Sequence, residues 1–241
     1  QVLTRELGQM AEESIEALEA PILIAANERF LSGVVGLVAS RLADKNYRPA
    51  IVLEQGKDES RASCRSIPEF HITEALDSLA ELLERHGGHA QAAGFTIRNE
   101  NLPEFTERIT AIAAEKLADQ ELVPTISIDK EVDLGAVDWS LHGVLGQLEP
   151  TGYANRTPVF LSRGVEVHTH RAVGQDGSHL QLKLMARNGH ESLLSAIAFR
   201  QGAWASQMPQ YVDIVYTVGV NEWRGNRTLQ LVVQDIKPSE A

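Results

Sequence analysis

The 241-residue chain is 43% hydrophobic and 23% charged, with 18 Gly and 9 Pro, the profile of a soluble globular protein of one or two domains that can bury a core. Its single cysteine, Cys64, excludes an intrachain disulfide, and no Cys and His cluster has structural-zinc spacing, so a reducing cytoplasm is the expected compartment. The formal charge of −11 is concentrated in residues 1–124, where 12 Lys and Arg stand against 21 Asp and Glu; such a balance repels polyanions at long range, and nucleic-acid binding then needs local basic pockets or aromatic stacking.

Residues 1–20 are charged, with Leu3, Leu7, Met10 and Leu18 at helical spacing and no initiator Met. They resemble neither a signal peptide nor a membrane span and are expected to be the end of an interdomain helix in a longer chain. Residues 21–26 and 50–53 are short, branched and apolar, and read as buried strands. Between them Val34, Val35, Leu37, Val38 and Leu42 form a helical face, with Gly33 and Gly36 permitting close packing on a sheet. Ala75, Leu76, Leu79, Leu82 and Leu83 predict a second helix over 73–85, stopped by Gly87-Gly88. Residues 93–97 return as a strand. Asn101, Pro103 and Glu104 resemble a capping box opening a helix to Ala118.

Past Pro124 the period changes to two. Val165, Val167 and Thr169, then Leu180, Leu182 and Leu184, then residues 212–220 and 229–233 alternate apolar and polar, and 191–199 adds a fifth strand. Trp223-Arg224-Gly225-Asn226 closes the last hairpin, and a helical insert is expected near 203–207. Five antiparallel strands fit a small OB-type barrel, with a sandwich as the alternative. Between the halves, Asp138 caps an expected helix to Glu149, followed by the turn-rich 150–155.

Two clusters carry chemistry. In Arg85-His86-Gly87-Gly88-His89-Ala90-Gln91-Ala92-Ala93-Gly94 the paired glycines can bring backbone N–H groups to an anion and His89 can donate to it; the alternative is a helix cap with a structural histidine. Upstream, Ser63 and Arg65 share one side of an extended segment, a hydroxyl and a guanidinium suited to a terminal phosphate. Alternatively, Arg65 pairs with a nearby acid. His168 and His170 fall on one strand face, read as a solvated or DNA-facing pair in preference to a metal pair. Cys64 reads as a small filler, because no His and acid pair is spaced to activate it.

Ser63-x-Arg65-Ser66, an amphipathic helix and Gly87-Gly88-His89-x-x-Ala92-Ala93-Gly94 together resemble the DHHA1 substrate-binding domain of the DHH phosphoesterase superfamily. Gly33-Val34-Val35-Gly36 through Leu42, with Arg48-Pro49, is similar to the RecJ branch of it, as are Leu148-Glu149-Pro150, Asn221-Glu222-Trp223 and Leu229-Gln230-Leu231 to the OB domain that follows there. The resemblance implies an α/β DHHA1 domain over 21–122, a junction with a helix over 123–157 and an all-β OB-fold barrel over 158–241. It implies that Ser63 and Arg65 hold the 5′-phosphate of single-stranded DNA, and that Gly87, Gly88 and His89 hold the phosphate beside the scissile bond. No catalytic or metal-ligating residue is expected in this chain: the family's two Mn (or Mg) ions sit on Asp and His residues of a DHH domain, and the sequence contains neither Asp-His-His nor His-x-Asp. For the OB half, cations and an aromatic near strand ends nominate Lys183, Arg200, Trp223, Arg224 and Arg227 as single-strand contacts.

Two motifs depart from the family: Phe30-Leu31 stand where Trp-His is usual, and 151–156 replace Phe-Gly-x-Gly-Asn-Pro. The function implied is the substrate-binding portion of a 5′ to 3′ single-strand exonuclease of recombination and repair. The alternatives are an oligonucleotide or cyclic-dinucleotide phosphodiesterase, and a non-catalytic binding or scaffolding protein. Expected partners are single-stranded DNA with a 5′-phosphate, the DHH domain or a separate catalytic chain, and a single-strand-binding protein; no membrane is expected.

Overall fold

The computed structural model describes residues 2–15, 19–152, 154–186 and 193–240, and the chain divides into two compact units, 1–125 and 126–241. The first unit opens with α1 (Val2–Ser14), β1 (Leu23–Asn27), α2 (Ser32–Asn46), β2 (Ala50–Gln55) and β3 (Glu59–Arg65). Leu7 and Ala11 of α1, and Val35, Val38, Ala39 and Leu42 of α2, bury against Leu23, Ala25, Ala50 and Val52 of the first two strands. Phe30, at a departure from the family pattern, is fully buried in this cluster. Leu18 of the N-terminal pattern lies outside the described residues.

Next come α3 (Ile72–Asp77), a 3₁₀ turn at Ala80–Leu82, β4 (Leu83–His89), β5 (Ala92–Arg98) and α4 (Leu102–Leu117). The sheet runs β1-β2-β3-β5-β4, with β1 and β2 parallel and the other neighbours antiparallel. Its second face packs Ile51, Leu53, Cys64, Ala93, Phe95 and Ile97 on α3 and on Phe105, Ile109 and Ala113 of α4.

The helix expected over 73–85 is therefore corrected. Leu76, Leu79 and Leu82 are all buried, but a spacing of three is met equally by a short helix running into a 3₁₀ turn. Leu83 then pairs with Ile97 in the sheet, which gives its backbone a ladder partner that a helix ending at two glycines would lack. The capping box is corrected as well: a 3₁₀ turn at Asn99–Asn101 precedes α4, and the Asn101 amide donates to the Leu82 carbonyl at 3.0 Å.

The second unit contains β6 (Lys130–Glu131), α5 (Trp139–Leu145), β7 (Phe160–Val173), β8 (His179–Met185), β9 (Leu194–Ala198), β10 (Tyr211–Trp223) and β11 (Asn226–Pro238). Asp138 caps α5 as expected, its carboxylate accepting from the Leu141 N–H at 2.8 Å. The helix is shorter than read, passing into a 3₁₀ turn at Gly146–Leu148. Gly202–Ser206 forms the helical insert, while the first two residues of the strand read over 191–199 lie outside the described residues. Because β10 pairs with both β11 and β7, the ladder β7-β8-β9-β11-β10 returns to its start, as a small barrel requires. One expectation fails here: β9 and β11 are parallel, so the five strands are not all antiparallel. Leu180, Leu182, Leu184, Ala196, Val212, Ile214 and Tyr216 fill the interior. Tyr216 bonds Ser162 at 2.9 Å, and burial pushes its phenol up to about 12 against the opposing effect of that bond.

Asp213 ties β10 to β7 from a 5% exposed position. Burial raises its carboxyl, but the Gly164 N–H at 2.9 Å, Ser239, Lys237 and Arg163 outweigh burial and hold it below the usual carboxylate range. A depressed folded-state pKa adds stability above the unfolded value of about 3.9, which is lost as pH falls towards the folded value. Asp213→Asn should therefore lower stability at pH 7 by about 1.5–3 kcal/mol and show a shallower loss than the parent below pH 4, measured by urea unfolding across pH.

The two glycines of β4 should behave oppositely. Gly88 has φ +153°, and a Cβ there would lie 2.4 Å from both the Ala92 carbonyl oxygen and the Ala93 Cα; Gly88→Ala should cost about 2 kcal/mol or more. A Cβ on Gly87 meets nothing within 4 Å, so Gly87→Ala should unfold at nearly the parental denaturant concentration.

Candidate nucleic-acid interface

Cross-strand register assembles the candidate residues of the first unit. Arg65 pairs with Ala92 and Ala92 with His89; Ser63 pairs with Gly94 and Gly94 with Gly87. Paired residues on neighbouring strands share a face and strands lie about 4.8 Å apart, so each row crosses roughly 10 Å of sheet. This is the α2 face: a Cβ on Gly36 would sit 3.3 Å from Ser63 Oγ and 3.4 Å from Arg65 Nη2. Gly36 thus permits the close packing expected of it, whereas a Cβ on Gly33 would meet nothing within 4 Å. No described element of this unit covers the face beyond β3, where Gly87 and His89 are exposed and Ala92 and Gly94 half-buried.

The cradle is held from outside the face. Ser66 N–H donates to the Gln91 carbonyl at 2.9 Å, Ile72 N–H to the Ala90 carbonyl at 3.0 Å, and Thr73 Oγ1 to the His89 carbonyl at 2.7 Å. Arg65 Nη1 donates to Ser63 Oγ at 3.3 Å and to the Cys64 carbonyl at 2.8 Å, so the alternative in which Arg65 is tied to an acid is not the arrangement observed. Cys64 is completely buried and burial pushes its thiol up, with Arg65 opposing; it is the inert filler expected. Gly87, Gly88 and His89 sit on an edge strand of the sheet, not after a helix.

One row further along, Arg61 pairs with Thr96 and Thr96 with Arg85. Neither arginine was given a role from the sequence. The alternation that joined Ser63 to Arg65 also reaches Arg61, but Arg85 was hidden by the helix read over 73–85.

The OB residues are not brought together as one patch. Trp223, Arg224 and Arg227 cluster at the β10–β11 hairpin, where Arg224 stacks over Trp223 with its guanidinium carbon 5.8 Å from the ring centre. Arg227 stacks likewise over Trp139 of α5 at 5.9 Å, adding an aromatic that went unread because it lay in the junction. Trp223 is 68% and Trp139 49% exposed. Lys183 lies mid-strand, donating to Ser195 Oγ at 2.7 Å. Arg200 follows β9, whose Ala198 is level with Val233 of β11, so about 26 Å of strand separates it from Arg227 at 3.3 Å per residue. A register shift between Val167 and Thr169 breaks the alternation that put His168 and His170 on one face, although both are exposed.

Residues 5–115 match the family model described as the DHHA1 domain, and 128–235 that of the RecJ OB domain. The Single-stranded-DNA-specific exonuclease RecJ of Bacillus subtilis is 31% identical over 97% of this chain and 30% of its own length. The RecJ of Thermus thermophilus is 29% identical over 92% and 31%, respectively. A crystal structure of Thermus thermophilus RecJ in complex with Mg2+ superposes with a TM-score of 0.78 at 26% identity, covering 100% of this chain and 36% of that one. The chain thus spans about a third of the length of these relatives. With both domain models in that order and relatives that align along nearly its whole length, the chain is homologous to the C-terminal part of RecJ exonucleases, a DHHA1 domain followed by an OB domain.

Proposed function

We propose that this chain is the substrate-gripping part of a 5′ to 3′ single-stranded-DNA exonuclease acting in recombination and repair in the cytoplasm. The observation that carries the reading is the pair of in-register rows that set Ser63 and Arg65 across from Gly87 and His89 on an open sheet face. A guanidinium with a neighbouring hydroxyl offers fork-shaped, charge-assisted donors to a terminal phosphate. The side-chain-free surface over Gly87 lets the next phosphate approach the backbone. The match of 128–235 to the RecJ OB domain favours this over a stand-alone phosphodiesterase built on DHHA1.

Hydrolysis would belong to a DHH domain, where two Mn or Mg ions would supply Lewis-acid chemistry. The described residues of this chain do not fit that group, since no three His, Cys, Asp or Glu side chains among them converge on a metal position. The partners are single-stranded DNA with a 5′-phosphate, the DHH domain in the same or a separate chain, and a single-strand-binding protein. No described helix is long and apolar enough to cross a membrane.

Arg65→Ala, and more weakly His89→Ala, should lower affinity for a 5′-phosphorylated oligonucleotide by about 1.5–3 kcal/mol and affinity for the 5′-hydroxyl strand much less. Titration of both strands measures the difference, and equal losses would remove the terminal-phosphate assignment. In the OB unit, Trp223→Ala and Trp139→Ala should each weaken oligothymidine binding by about 1–3 kcal/mol if a base stacks there, with an unchanged melting transition because both rings are exposed. Fluorescence titration paired with a thermal melt tests this.

A further inference from the structure

The row beyond the cradle carries charge that the fold does not use. Arg61 and Arg85 are exposed and flank Thr96, and with Gly94 they line a depression of about 290 Å³ on the sheet. Arg85 Nε donates to Thr96 Oγ1 at 3.0 Å, an arrangement that leaves its two terminal amino groups to bind a ligand. Among the described residues no carboxylate lies within ion-pair distance of Arg61, Arg65 or Arg85, whereas Arg98 is paired with Glu84 at 2.6 Å and Arg108 with Glu81 at 2.7 Å. Residues 1–124 hold 21 acids against 12 cations, so three unpaired arginines on one sheet face mark the place where a negative charge is to be supplied from outside.

The row has a definite extent. It lies two residues along the strands from the Ser63–Gly87 row, about 6.8 Å, a step that one extended nucleotide can span. Beyond it the face closes electrically, because Arg98 is held by Glu84 and stands opposite Glu59. On the β2 side, Glu54 pairs with Arg61 in register but accepts a hydrogen bond from Ser32 Oγ. A polyanion that follows the arginines therefore finds one more cationic row and then carboxylates.

We propose that Arg61 and Arg85, the latter oriented by Thr96, form a second anion subsite that takes one internal phosphodiester of the strand whose 5′ end is held by Ser63 and Arg65. This subsite rests on the single-strand reading above, but its ligand is a backbone phosphate and not the terminal one. Two planar guanidinium groups flanking one depression suit the two unesterified oxygens of a diester.

The test is an amide chemical-shift titration of the 241-residue chain with a thymidine trinucleotide carrying either a 5′-phosphate or a 5′-hydroxyl. The chains compared are the parent, an Arg61→Gln/Arg85→Gln variant and an Arg65→Gln variant. An internal diester is present in both ligands, so the double variant should lose about tenfold in affinity for each, while Arg65→Gln should lose affinity chiefly for the phosphorylated one. Unchanged shifts of core amides in the free variant establish that it is folded. Unchanged binding by the double variant, or a loss confined to the 5′-phosphorylated ligand, would overturn the subsite. A parent that does not discriminate between the two ligands would instead overturn the terminal-phosphate reading, and a tenfold loss in the double variant would still support the subsite. A parent that binds neither overturns both.

Discussion

The candidate site depends on one constraint, the register of β5 between β3 and β4. Ala92 and Gly94 stand between Arg65 and His89 and between Ser63 and Gly87, and a slip of one residue would turn every one of these side chains to the opposite face. The buried face prevents the slip: Cys64, Ala93, Phe95 and Ile97 point into a core shared with α4, and Phe95 packs on Phe105 with ring centres 4.8 Å apart. The hydrophobic side of the sheet thus fixes the geometry of its polar side. Small residues on β5 then keep the ground between the two polar edges low.

Charge acts within that frame. The first unit is acidic, and several of its cations are engaged by carboxylates, as in the Glu84–Arg98 and Glu81–Arg108–Glu104 contacts at the far end of the sheet and along α4. Such exposed pairs contribute little to stability, about 0–1 kcal/mol each. Their consequence here is spatial: they leave Arg61, Arg65 and Arg85 as a local positive surface on a chain whose long-range field is repulsive to DNA. Binding governed in this way is short-ranged, because screening at physiological salt confines exposed charges to about 8 Å.

Most of this was legible where a period and a chemical motif agreed. Alternation in 165–169, 180–184, 212–220 and 229–233 gave the barrel strands, because each has one face in the core and one in water. Ser63 and Arg65 were legible for the same reason. What failed was local ambiguity: Leu76, Leu79 and Leu82 satisfy a helix and a 3₁₀ turn alike, and only pairing with β5, remote in physical cause from 73–85, selects a strand for Leu83–His89. The parallel β9–β11 pair was illegible because alternation reports which face is buried and not which way a neighbour runs. Lys183 and Arg200 were grouped with Trp223 because all were read as lying near strand ends, which does not say at which end of the barrel each one stands.

The two units offer different kinds of contact, and neither kind reads base identity. In the first, on the proposed function, guanidinium groups and exposed backbone would meet phosphate, which positions a strand without specifying sequence. In the second, Trp139 and Trp223 each carry an arginine on one ring face. Trp139 also meets the His142 ring edge-on at 5.6 Å; on the proposed function a base would stack on the exposed part of these rings, and stacking tolerates every base because each has a π-face. Base-specific recognition needs buried donors and acceptors set against a base edge, as in bidentate Asn or Arg contacts. The exposed Trp223, Arg224 and Arg227 hairpin has the water access that opposes such readout. On the function proposed above, a phosphate cradle in one unit and a stacking surface in the other would suit an enzyme that advances along any sequence, since phosphate and π-face are common to every nucleotide.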